Sequence, residues 1–195
     1  MRILESVRWS STAALLAASG SVLAHPLHGA GDAMGAGFLH PLLGFDHLLA
    51  MVAVGLSAAQ RGGHWLWGIP LAFVMAMLAG GLLGFLGLTV PLTEPLVAAS
   101  VLILGLLVTL QVHFTWMGPA LVAGFALFHG LAHAAELPPE AAAFAYAAGF
   151  TAATAALHAA GVALGMRLCQ YKFSARFAGA PIALAGCWLL AGALA

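Results

Sequence analysis

Charge is what this chain has least of. Six lysines and arginines and six aspartates and glutamates are spread over 195 residues, with a net charge of zero when histidine is neutral. A soluble domain is about 25% charged, so a water-facing surface cannot be assembled from this sequence. The same scarcity removes the basic patch that nucleic acid requires, and no nucleic-acid partner is expected. The only cysteines, Cys169 and Cys187, lack a CxxC spacing and read as unpaired thiols in apolar or membrane-edge positions. No GxxxxGK[ST] stretch is present, which excludes ATP hydrolysis by that route. Long apolar runs that do not alternate argue against a transmembrane β-barrel.

What is there in quantity is apolar surface. Hydrophobic residues make up 63% of the chain, and the mean hydropathy is +1.05. At about 20 residues per span, there is room for six or seven helices. The expected fold is all-α, a polytopic membrane bundle. Glycine is abundant (24 residues), which suits helices that must approach closely where water supplies no drive.

Residues 1–24 read as a secretory signal peptide, cut after Ala24. Arg2 and Arg8 lead a short apolar stretch that ends in small residues; an uncleaved first helix is the alternative. Residues 25–195 are expected to form one transmembrane domain of six apolar blocks, at 35–59, 65–88, 95–112, 117–136, 140–166 and 175–194. Short joints rich in glycine, proline or charge separate them. After the signal, the basic residues are Arg61, Arg167, Lys172 and Arg176. Basic residues favour the cytoplasmic side. Placing all four there puts the mature N-terminus and the C-terminus outside, in the periplasm if the membrane is a bacterial inner membrane.

Nine histidines exceed the six lysines and arginines. Ionisable groups in hydrocarbon are costly and usually functional. His40, Asp46 and His47 lie in the outer half of the first block; His40 and His47, seven apart, share a helical face. Pro41 allows a local break whose carbonyls would be open to an ion. His129, His133 and Glu136 share a face of the fourth block, also in its outer half. Deeper, His158 follows Thr151 and Thr154, so a path could run inward to it. His25 and His28 could collect ions at the mature N-terminus. His64 and His113 read as loop or packing residues, and Met51 as packing. Imidazole with some carboxylate suits nickel, cobalt, zinc or copper, and the absence of thiolate disfavours copper(I).

Four stretches carry a resemblance: "HPLLGFDHLLAMVAVG", "PLTEPLVAASVLILG", "FHGLAHAAE" and "YAAGFTAATAALHAAG". With these the chain resembles the HupE/UreJ family of nickel/cobalt permeases. Ala134 departs from the glycine usual there. The resemblance implies uptake of Ni(II), or of Co(II), for hydrogenase or urease assembly, with the ion as cargo and no prosthetic group. It implicates His40, Asp46, His47, Glu94, His129, His133 and Glu136; Glu94 enters only in this way. An intramembrane zinc hydrolase and a metal sensor or chaperone are the competing readings. Beyond the lipid bilayer, self-association and an accessory protein are left open.

Overall fold

Gly62 and Gly63 turn the chain at φ +69° and +56°, a left-handed region that costs glycine nothing. They separate two of seven helices among the described residues, which in the computed structural model are 32–112, 116–134, 140–171 and 174–195. The expected signal peptide, His25, His28, His113, Glu136 and Lys172 lie outside them.

The helices are α1 (Ala33–Leu43), α2 (Phe45–Arg61), α3 (Trp65–Phe85), α4 (Thr93–Leu110), α5 (Met117–Ala134), α6 (Glu140–Cys169) and α7 (Ser174–Ala193). No strand occurs among the described residues. Helices α3 to α7 are each long and apolar enough to cross a bilayer, while α1 and α2 meet at a 77° bend and make a sixth span only as a pair. The expectation of an all-helical membrane bundle holds, but the first block is not one continuous helix.

Its break falls at Gly44, in extended backbone at φ −75° and ψ 108°, rather than at His40–Pro41. Pro41 is accommodated inside α1 and buried. The carbonyls of His40 and Gly44 at this break are both engaged. Gly44 N–H donates to the His40 carbonyl and Leu48 N–H to that of Gly44, both at 2.9 Å. Gly44 ends one helix and begins the next: glycine has little preference for helix, and a Cβ there would crowd His47 Nδ1 at 3.1 Å and Asp46 Oδ1 at 3.3 Å.

Packing is strongest between α4 and α7, between α3 and α5, and between α6 and both halves of the broken span. Small residues set these distances. A Cβ built on Gly161 of α6 would lie 2.5 Å from the Val52 carbonyl oxygen, and one on Gly55 of α2 would lie 2.5 Å from that of His158. The two backbones are thus in direct contact, which holds α2 firmly against α6. Met51 is wholly buried in the core this creates, in keeping with a packing role. Cys169 and Cys187 are unpaired, as expected, but both are exposed on the surface of the bundle rather than held in its core.

Charge is segregated between the two ends. Gln60 donates to the Val108 carbonyl at 2.9 Å, and Arg176 donates to Gln111 at 2.8 Å, so α2, α4 and α7 share one end. Gly165 of α6 abuts Ala59 there, which brings Arg167 to the same end as Arg61 and Arg176. His64, exposed, packs on Trp65 nearby at 4.5 Å. Asp46 and Glu94 occupy the first turns of α2 and α4, at the opposite end.

Gly161→Val is expected to destabilise the bundle by about 1–3 kcal/mol through overpacking. Gly124→Ala, where an added methyl meets nothing within 4 Å, is the control, expected to be neutral or to stabilise by up to about 1 kcal/mol. Thermal unfolding in detergent distinguishes them, and equal losses would contradict the close contact of α2 with α6.

Candidate functional site

Asp46 stands in the first turn of α2, where unpaired backbone N–H groups favour an anion. Its Oδ1 accepts from the backbone N–H of His47 at 2.8 Å and lies 2.7 Å from His47 Nδ1. A carboxylate only accepts, so Nδ1 carries the proton and the neutral ring keeps its lone pair on Nε2. His47 Nε2 is buried with no hydrogen-bond partner among the described residues. A carboxylate that orients an imidazole in this way is a common support for a metal-binding histidine.

Around His47 the other rings gather. Its centroid lies 4.9 Å from that of His129 and 4.5 Å from that of His133. His40 lies 5.9 Å from His47 and 4.7 Å from His133. His47, His129 and His133 are buried, and His40 is half-buried. The structure therefore unites His40, Asp46, His47, His129 and His133, as the sequence predicts. It does so by a different route for the first pair, because the bend at Gly44 interrupts the helical repeat on which their shared face was argued. Helices α2 and α5 are likewise not among the closely packed backbone pairs; their histidine rings bridge the space between them.

The rings meet mostly edge to face. Among the described residues, no three histidine, cysteine, aspartate or glutamate side chains already close around a single ion. The donor chemistry nevertheless fits a borderline divalent cation.

Glu94 does not touch this cluster. It is exposed and, with Asp46, His47, Thr93 and His133, lines an open cavity of about 1160 Å³. The turn that delivers it is strained, since Leu92 sits at φ +66°, where a bulky side chain is disfavoured. A second cavity of about 260 Å³ between α3, α5 and α6 is lined almost wholly by apolar side chains and offers little polar chemistry.

His158 is separate from the outer cluster. It is buried, and neither of its ring nitrogens has a hydrogen-bond partner among the described residues. Phe73 stands between the two regions, 5.6 Å from His129 and 5.0 Å from His158, and is wholly buried. An aromatic ring thus packs against both His129 and His158, the two ends of the inward step expected from sequence. Phe73 was missed because one phenylalanine in an apolar run carries no signal. Ser100 was missed too. It is fully buried and lies 2.9 Å from His129 Nε2, and its place seven residues before Leu107 on an apolar helix gave no sign of a partner 29 residues on. Glu136, His25 and His28 lie outside the described residues.

The model of the HupE / UreJ protein family matches residues 13–189. Protein HupE of Rhizobium leguminosarum bv. viciae is 46% identical over 164 residues, covering 80% of this chain and 84% of that protein. No solved structure matches. With its multiple apolar spans and a family match over nearly its whole length, the chain is a multi-pass membrane protein that belongs to the HupE/UreJ family.

Proposed function

We propose that this protein is a permease that takes up divalent transition-metal ions, Ni(II) first and Co(II) second, and supplies hydrogenase or urease assembly. The observation that carries the reading is the meeting of His40, His47, His129 and His133 beside a cavity edged by Asp46 and Glu94. His47 Nε2 and His129 Nδ1 are buried without a hydrogen-bond partner among the described residues, which is costly, and a divalent cation would satisfy them. Membership of the HupE/UreJ family supports the choice of nickel and cobalt.

The route follows from the residues. Glu94 and Asp46 give the open cavity negative charge, which raises the local concentration of cations. Glu136, His25 and His28, outside the described residues, are assigned to the collection of ions ahead of this site. His40, His47, His129 and His133 then replace part of the hydration shell. Asp46 lowers the electrostatic cost of the ion where the dielectric constant is low. An ion moving inward to His158 requires the Phe73 ring to swing aside. Binding must be weak enough for release. The ion is cargo, and no prosthetic group is involved.

The segregated arginines set the direction. The positive-inside preference places Arg61, Arg167 and Arg176 in the cytoplasm, so the acidic cavity and both termini face the periplasm across the inner membrane. Reporter fusions at residues 62 and 171 are expected to read as cytoplasmic, and a periplasmic signal from either would reverse the direction of uptake.

Flux into liposomes carrying a metal-sensitive dye, with nickel, cobalt and zinc compared, tests the transport itself. Asp46→Asn and His129→Ala are each expected to lower nickel flux about tenfold or more at unchanged protein abundance, the scale seen when the support of a metal ligand is lost. The double variant should lose less than the product of the single losses, because both act on one site. His64→Ala should stay within about twofold of the parent, as exposed residues away from special features usually do. No flux from the parent protein, or zinc bound tightly together with lipid hydrolysis, would overturn the permease reading.

A further inference from the structure

We propose that Ser100 is a positioning residue that holds His129 in a single tautomer, so that the outer site presents its lone pairs from His129 Nδ1 and His47 Nε2. The ligand role of these atoms rests on the metal-binding reading above; the tautomer does not.

Ser100 is fully buried on α4. Its Oγ lies 2.6 Å from the Val97 carbonyl oxygen and 2.9 Å from His129 Nε2. A hydroxyl has one proton, and a carbonyl oxygen has none to give. The serine therefore donates to Val97, and the proton of the second contact comes from His129 Nε2. A neutral imidazole carries one N–H, so the lone pair of His129 stands on Nδ1. That atom is buried and has no hydrogen-bond partner among the described residues.

His47 reaches the complementary state by a different support. Asp46 Oδ1 takes the proton of Nδ1 at 2.7 Å, which leaves the lone pair on Nε2, also buried and unpartnered among the described residues. One ring is fixed by a carboxylate on its own helix, the other by a hydroxyl on α4. The two centroids are 4.9 Å apart. Each support occupies the nitrogen that is not needed for an ion, as the hydrogen bonds behind metal-binding histidines do. Removal of the hydroxyl leaves His129 Nε2–H without its acceptor and frees the ring to adopt the other tautomer.

Ser100→Ala is the variant of choice, because alanine fits the space and favours helix more than serine does. Nitrogen-15 NMR of histidine-labelled protein in lipid nanodiscs, with the His129 signals assigned from His129→Ala, reads the tautomer before any metal is added. The parent should show a protonated Nε2 and an unprotonated Nδ1, and Ser100→Ala should lose that single pattern. Optical titration with Co(II) alone should then show binding about 10–100-fold weaker in Ser100→Ala. A protonated Nδ1 in the parent, or an unchanged tautomer and cobalt affinity in Ser100→Ala, overturns the proposal. A parent that shows the expected tautomer but binds no cobalt overturns the ligand role together with the permease reading.

Discussion

Hydrocarbon offers an imidazole neither water nor a counter-ion, so polar side chains within these spans must find one another. That requirement organises the half of the bundle that carries Asp46 and Glu94. His40 and His47 come from the two arms of a broken span, while His129 and His133 come from one face of α5. They meet only because α6 braces both arms and α3 braces α5. The bracing is close because glycines such as Gly55 and Gly161 let backbones touch. Packing and site are therefore one design: a bulkier residue at a helix crossing moves a histidine as well as a helix.

Charge obeys the same constraint from the opposite direction. Asp46 and Glu94 stand at helix N-termini, where the backbone itself favours anions, and both border the open cavity. The described arginines collect at the other end. Between these poles Phe73 is wholly buried and packs against both His129 and His158. On the permease reading proposed above, an acidic entrance, a nitrogen-rich site and the buried Phe73 ring in series would make a route that admits cations and holds them before release.

Much of this was legible in the residues. Low charge and long apolar runs identify a helical membrane bundle, and the spacing of His129 and His133 places them on one face because a helix repeats regularly. The histidines of the first block converge as expected, but not through that repeat. Gly44 looks like any other glycine in an apolar stretch, and whether it bends a helix depends on what packs against both arms. Ser100 and Phe73 act through partners distant in sequence, which no local pattern records. Glu94 shows the opposite case: a solvated glutamate by any local reading, it came into view through resemblance alone, and the structure places it on the rim of the cavity.

Nickel-edge X-ray absorption of the protein loaded with Ni(II) in nanodiscs tests most directly whether the histidine cluster holds the ion. The account predicts nitrogen and oxygen neighbours with the outer-shell scattering of two or more imidazole rings, lost in the His47→Ala, His129→Ala double variant. A shell of oxygen atoms alone, unchanged when both histidines are removed, would contradict it.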